Sequence, residues 1–152
     1  MTIRCEIVSQ DRTVFENDVD IVVVPGMDGE MGILPQHSPL LSTIRLGVIK
    51  VRYGGQEENF TITGGLVEVQ PDIVTILADA AENVDEINVS RAEEARERAR
   101  QRLEEGPPPG TEAYLAAEAA LRRSSLRLDA ARRLGGNRSR SPFPSSNDRD
   151  SA

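Results

Sequence analysis

Cysteine, histidine, lysine and tryptophan are almost missing from this 152-residue chain. It has one cysteine (Cys5), one histidine (His37), one lysine (Lys50) and no tryptophan, and aromatics make up only 3% of it. A single cysteine cannot close an internal disulfide, so Cys5 fits a reducing cytosol and the fold must rest on an ordinary core. A lone histidine with no cysteine near it does not make a zinc site. No stretch approaches the ~18 apolar residues of a membrane-spanning helix, and no charged-then-apolar secretory leader opens the sequence.

The composition is that of a globular protein, 38% hydrophobic and 28% charged. The length suits one ordinary domain or two small ones. Charge is spread unevenly. Residues 1–84 carry 5 basic and 13 acidic side chains, whereas residues 85–152 carry 13 and 12. An acidic front half argues against a nucleic-acid surface there, since phosphate neutralisation needs excess Lys and Arg. In the second half the arginines are interleaved with acids, and the helical region holds one aromatic, Tyr114. Base stacking needs more than that, so an acidic partner protein suits these arginines better than DNA or RNA.

Residues 2–81 read as strands. Ile3, Cys5 and Ile7 alternate with Thr2, Arg4 and Glu6; Ile49, Val51 and Tyr53 alternate with Lys50 and Arg52; Phe60 and Ile62 alternate with Thr61 and Thr63. A period of two sends one set inward and the other toward water. Residues 21–24 form a solid β-branched run, expected of a strand covered on both faces or placed at a tight junction. Gly54-Gly55 and Gly64-Gly65 mark turns. Short strands ended by turn residues, with no helical pattern between them, predict an antiparallel sandwich or barrel.

The period changes near residue 88. Asn88 or Ser90 can cap a helix, and Ser90 with Glu93 has capping-box spacing. This helix runs to about residue 105, with Ala92, Ala95, Ala99 and Leu103 on one face. Glu94–Arg98, Glu93–Arg96 and Glu97–Arg100 have the spacing of intrahelical ion pairs. Gly106-Pro107-Pro108-Pro109-Gly110 stops it, because proline lacks an N–H and disfavours helix in the residue before it. A second helix follows over about 111–134, lining up Ala117, Leu121, Ser124, Leu128 and Ala131, with Gly135-Gly136 as its stop. The short connection predicts an antiparallel hairpin. Its alanine seam buries little apolar area, since a Leu-sized side chain contributes roughly 1.5–3 kcal/mol and a methylene about 0.8 kcal/mol. The helices should be locally robust and weakly docked; the plainer reading is an alanine-rich hairpin simply packed on a domain. Residues 137–152 are Ser, Arg, Asp, Asn and Pro with a lone Phe143, and they predict a disordered tail. The predicted organisation is a sandwich over 1–84, a helical hairpin over 85–136 and the tail.

No catalytic constellation emerges. His37 and Ser38 are adjacent but lack an orienting acid, and a backbone hydrogen bond in a turn suits His37 better. There is no phosphate loop ending in Lys-Ser or Lys-Thr. Gly26-Met27-Asp28-Gly29-Glu30 has the look of a turn and lacks calcium-loop spacing.

The stretch Val24-Pro25-Gly26-Met27-Asp28-Gly29-Glu30-Met31-Gly32-Ile33-Leu34-Pro35-Gln36-His37-Ser38-Pro39-Leu40-Leu41 resembles the signature of the ε subunits of F-type ATP synthases. Gly47-Val48-Ile49, Gly64-Gly65-Leu66-Val67-Glu68-Val69 and Val74-Thr75-Ile76-Leu77-Ala78-Asp79-Ala80-Ala81-Glu82 follow in the family's order, and the likeness continues to about Leu134. The resemblance implies an α+β chain: a ten-stranded antiparallel β-sandwich, then an antiparallel two-helix hairpin. It implies a non-catalytic central-stalk part that binds the γ subunit and the ring of c subunits, couples proton flow to ATP synthesis, and sits peripherally at the cytoplasmic face of the bacterial cell membrane. It also implies that the hairpin can extend along γ and inhibit ATP hydrolysis, its basic residues then meeting the β (and α) subunits. Arg122, Arg123, Arg127, Arg132 and Arg133 are the candidates for that contact, and Met31 and His37 for contact at the sandwich.

No cofactor is required, but some members of the family bind a regulatory ATP when the hairpin is folded down. The family's motif has Ile or Leu, Asp, two variable residues, Arg and Ala; here Ile87-Asn88-Val89-Ser90-Arg91-Ala92 stands in its place. By this resemblance the candidate nucleotide contacts are Glu82, Asn88, Arg91, Ala92, Arg98, Arg123 and Arg127. Asn88 replaces the usual Asp. It can still cap a helix, but it is uncharged and offers one carbonyl oxygen where a carboxylate offers two. The competing expectation is a free-standing β-sandwich binding module with a helical adaptor, which would not co-purify with rotor partners.

Overall fold

The computed structural model describes residues 1–135. The expected tail over 137–152, and Gly136 before it, lie outside the described residues. Ten strands come first: β1 (Ile3–Val8), β2 (Thr13–Val19), β3 (Ile21–Gly26), β4 (Gly29–Ile33), β5 (Leu40–Ile44), β6 (Gly47–Tyr53), β7 (Gln56–Ile62), β8 (Gly65–Val69), β9 (Ile73–Ala78) and β10 (Ala81–Asn83). A single 3-10 turn, Val84–Glu86, leads into α1 (Val89–Glu105) and α2 (Glu112–Leu134).

The strands follow one hydrogen-bonded path, β10-β7-β6-β3-β5-β8-β9-β1-β2, with β4 added to β3. The path bends where β3 meets β5 through one residue pair, Gly26 with Ile44. That corner separates two layers, and their inner faces share one core of Ile3, Cys5, Ile7, Val19, Val22, Val24, Ile33, Ile49, Val51, Phe60, Ile62 and others. Phe15 bridges the layers' rims, its ring centroid 5.3 Å from Phe60 and 5.9 Å from Tyr53. Such tilted ring pairs add about 0.5–1.5 kcal/mol beyond area burial. Nearly every pairing is antiparallel, but β1 lies parallel to β9, with Cys5 opposite Val74 and Ile7 opposite Ile76. No helical crossover is needed, because the intervening seven strands wind through both layers before β9 returns beside β1.

The turn chemistry follows the sequence. Gly54 and Gly55 connect β6 to β7 with φ of 55° and 73°, the doubly left-handed geometry of a two-residue hairpin loop, which glycine adopts without steric cost. Gly26 and Gly29 pair, so Met27-Asp28 is a two-residue connection between β3 and β4. The run at 21–24 does not bury uniformly: Val22 and Val24 are inside, while Ile21 and Val23 are half-buried. It sits at the junction where β3 contacts β4, β5 and β6.

One alternation departs from expectation. Thr61 is 5% exposed although Phe60 and Ile62 claim the inner face. The outer face of β7 is covered by the 3-10 turn and α2, so its polar residues do not reach water as the period alone predicts. Asn59 on the same strand is buried too, and its Oδ1 has no hydrogen-bond partner.

The helices start and stop close to the expected residues. Asn88, not Ser90, caps α1: its Oδ1 accepts from the Arg91 N–H at 3.0 Å, and Ser90 falls inside the first turn. Gly106 ends α1 in the left-handed region (φ 97°), and Thr111 caps α2 by accepting from the Tyr114 N–H. Gly135 ends α2 in an extended conformation, so its stop does not use glycine's left-handed freedom. The seam is narrower than the periodicity suggests. Ala92, Ala99, Ala117, Ser124 and Leu128 are buried, whereas Ala95, Leu103, Leu121 and Ala131 are half-buried. The Ser124 hydroxyl donates back to the Ala120 carbonyl at 2.8 Å, which satisfies it inside the seam. Of the three intrahelical pairs expected on α1, Arg100 meets Glu97 and also Glu104. Glu94–Arg98 and Glu93–Arg96 are absent among the described residues, and Glu93 reaches across the hairpin to Arg132 instead.

Candidate functional site

The join between sandwich and helical arm is built from a few residues. Asn83 ends β10, and its Oδ1 accepts the Asp85 N–H at 2.9 Å, which starts the 3-10 turn. Its Nδ2 donates to Glu58 Oε1 at 3.3 Å, and the Tyr53 hydroxyl donates to the same carboxylate. The turn delivers Val84 and Ile87 into a second apolar cluster with Ala92, Leu128 and Ala130, flanked by Val48, Ala131 and Leu134. This cluster is distinct from the sandwich core. Ala130 is buried in this cluster, although the spacing along α2 does not place it on the expected seam.

A clasp adds to it. Arg127 on α2 donates twice to Glu82 on β10, Nε to Oε2 at 2.8 Å and NH2 to Oε1 at 3.1 Å. The side chains are 33% and 30% exposed, so the pair is partly shielded from solvent. Bidentate guanidinium–carboxylate pairing is stronger and more directional than a single point contact.

Beside the clasp lies a cavity of about 310 Å³. Arg12, Thr61, Thr63 and Glu82 line it from the sandwich, and Arg123 and Arg127 line it from α2. Three guanidiniums therefore face one carboxylate, and Arg127 already neutralises that carboxylate. The Arg12 and Arg123 side chains have no ion pair or hydrogen bond among the described residues. A concave site with surplus positive charge suits an anion able to accept forked hydrogen bonds.

Three of the seven candidate nucleotide contacts meet here: Glu82, Arg123 and Arg127. The other four do not line the cavity. Asn88 spends its side-chain oxygen on the helix cap. Arg91 is exposed in the first turn of α1, Ala92 is fully buried at the base of the arm, and Arg98 is exposed farther along α1. Arg12 also lines the cavity, and the sequence gives no sign of it, because one arginine in a turn carries no periodic or motif signal.

The candidate partner contacts are spread over both parts. Met31, opposite Val24 on the β3–β4 pair, is half-buried against the core. His37 lies in the turn after β4; its Nδ1 is 2.8 Å from the Ser38 carbonyl and its N–H donates to Leu34. That is the backbone role expected of it. Arg122 pairs with Glu118, Arg133 with Asp129 and Arg132 with Glu93, all exposed. A surface signal that periodicity missed is an apolar stripe on the outer face of the second layer. Leu66 stands opposite Leu77 across β8–β9 and opposite Thr43 across β5–β8, with Leu41 two residues along. Leu41, Leu66 and Leu77 are 69%, 41% and 50% exposed.

Comparison with known proteins matches both parts. Residues 2–84 fit the ATP synthase delta/epsilon chain β-sandwich domain, and residues 85–132 fit the long α-helix domain of the same chain. The sequence is 44% identical over 131 residues to an ATP synthase epsilon chain of Dehalococcoides mccartyi, covering 85% of this chain and 91% of the relative. It is 42% identical over 132 residues to that of Halalkalibacterium halodurans, covering 87% and 98%. Among solved structures, a chain of the Euglena gracilis mitochondrial ATP synthase OSCP/F1/c-ring assembly superposes with a TM-score of 0.72 at 26% identity, covering 86% of this chain and 81% of that one. A chain from the Tetrahymena thermophila mitochondrial ATP synthase central stalk and c-ring shares the fold at 16% identity and a TM-score of 0.55, covering 86% and 97%. With both domains matched in order and over nearly all of the described residues, the chain belongs to the ATP synthase delta/epsilon chain family.

Proposed function

We propose that this chain is a non-catalytic central-stalk subunit of an F-type ATP synthase. It sits peripherally at the cytoplasmic face of a bacterial cell membrane, takes part in coupling proton flow to ATP synthesis, and uses its helical arm as a brake on ATP hydrolysis. Among the described residues no helix is long and apolar enough to cross a membrane, so attachment runs through partner subunits. The Leu41–Leu66–Leu77 stripe offers the γ subunit an apolar face. The segment holding Met31 and His37 is offered to the c-ring.

The observation that carries the brake is the small, separable join. The sandwich has its own core, and the arm rests on five buried residues and one clasp. Two states, docked and extended, can then differ by little enough for a partner or ligand to choose between them. On extension Arg127 leaves Glu82, and the arginines of α2, Arg122, Arg123, Arg127, Arg132 and Arg133, become available to acidic surfaces of β and α. The docked state is the one that holds ATP in the cavity beside Glu82, Arg123 and Arg127, and ATP thereby opposes the brake.

The test is hydrolysis by the assembled enzyme with and without the residues after Asn83. Removal should leave proton coupling intact and raise ATP hydrolysis, most at low ATP. Equal hydrolysis under all conditions removes the brake. Failure of the chain to co-purify with γ, α and β would return the protein to the class of free-standing adaptor.

A further inference from the structure

We propose that Arg12 is the sandwich's own contribution to a polyphosphate site that it shares with the arm. The phosphate chain of a nucleotide, or of an inorganic polyphosphate, would bridge Arg12 and Arg123 and hold the arm down. The inference rests on the reading of the cavity as an ATP site and assigns it a residue outside the family's nucleotide motif.

Arg12 sits in the turn between β1 and β2. That turn is set by two hydrogen bonds to the Arg12 carbonyl, from the Ser9 N–H at 2.9 Å and from the Ser9 hydroxyl at 3.2 Å. The backbone is therefore fixed while the side chain stays exposed and unpaired on the wall of the cavity. Arg123, also unpaired, lines the same cavity from α2, and the cavity's one carboxylate, Glu82, is engaged by Arg127. The walls thus present two uncommitted forks to whatever enters, and Thr61 and Thr63 share the lining, the Thr61 hydroxyl donating to the Glu82 carbonyl at 3.5 Å. Planar guanidiniums bind phosphate oxygens in pairs, and a chain of phosphates offers enough oxygens to satisfy two forks at once.

Location gives this contact its consequence. Arg12 belongs to the sandwich and Arg123 to α2, so both can hold one anion only while the arm is docked. An anion bound between them favours the docked state through unequal affinity for the two states, with no further device. Asn88 is committed to the helix cap and lies outside the cavity lining, so the phosphates carry a large share of recognition here.

Isothermal titration of the full chain with ATP and, separately, with inorganic tripolyphosphate tests this at fixed ionic strength. The variants are Arg12→Gln and Arg12→Lys, each checked by circular dichroism. We expect Arg12→Gln to weaken binding of the polyanion about tenfold, the change expected for one lost charge-assisted contact, and Arg12→Lys to fall between. Equal affinity of wild type and Arg12→Gln for both polyanions overturns the inference and leaves the ATP site standing. Tripolyphosphate binding that depends on Arg12, without ATP binding, keeps the inference and removes the nucleotide reading. No binding of either polyanion to the wild type overturns both.

Discussion

Arg127 has two neighbours that give it two roles: Glu82, which it clasps, and the cavity, which it walls. Exposed ion pairs contribute about 0–1 kcal/mol and hydrogen bonds to charged groups about 1.5–3 kcal/mol. A partly shielded bidentate pair belongs between them. Arg127→Gln should therefore weaken docking by about 1–2 kcal/mol, seen as faster amide exchange through α2 while the sandwich amides keep their protection. Unchanged exchange in α2 would show that the apolar cluster alone holds the arm. Sequence spacing could not reveal this pair, because its partners are 45 residues apart; only the family resemblance brings them together. Cys5 is the opposite case. Its alternation with Arg4 and Glu6 gives the inner face from sequence alone, and the structure leaves it 0% exposed. Burial, with a smaller push from Glu6, raises the thiol from 9.0 to about 12. The folded thiol then stays protonated where the unfolded one ionises, so this contribution to stability is complete below about pH 9 and declines as pH rises toward 12. A disulfide reagent at pH 8 should leave the native chain untouched and label it fully in denaturant. Rapid native labelling would contradict the burial.

At the scale of elements, period and punctuation specify most of the secondary structure. Alternation marks β1, β6 and β7, and the Gly-Pro-Pro-Pro-Gly stretch separates the helices at residues 106–110. The alternation breaks at Thr61, where tertiary packing covers a face that a lone strand would leave wet. The predicted ion-pair ladder of α1 breaks at Glu93, since Arg132 on the neighbouring helix competes for its carboxylate. The choice between Asn88 and Ser90 as the cap was open in the sequence, because both residue types accept hydrogen bonds at a helix start. Asn88→Ala should destabilise the arm by about 1 kcal/mol, and Asn88→Asp should restore it. Helical ellipticity followed through a urea titration measures both. An arm indifferent to Asn88→Ala would mean that the preceding 3-10 turn, not the cap, sets where α1 begins.

For the molecule as a whole, the two apolar clusters are the organising fact. One lies within the strands, and the other joins the 3-10 turn to the arm. A chain cut to residues 1–84 should therefore still melt cooperatively. Its loss in stability should be modest, because Thr61, Asn59 and Glu82 on the outer face that it uncovers regain water, while Val48 and Val84 lose their apolar cover. Calorimetry decides the point, and a broad, non-cooperative transition would show that the sandwich needs the arm to fold. The fold class and the order of the two parts were legible in the sequence. The cavity was not, because it exists only where a turn near the start of the chain meets a helix near its end.

The parallel pairing of β1 with β9 bears on the order of events during synthesis. The first strand made is flanked by β2 on one side, but its other edge waits for Ile73–Ala78 to leave the ribosome. Contacts between segments so distant along the chain form slowly, and an unfilled strand edge invites pairing with other chains. The two helices, whose contacts are local, can form as soon as they emerge. The nascent subunit is thus most exposed to misassembly over its first seventy or so residues, before β9 seals the edge.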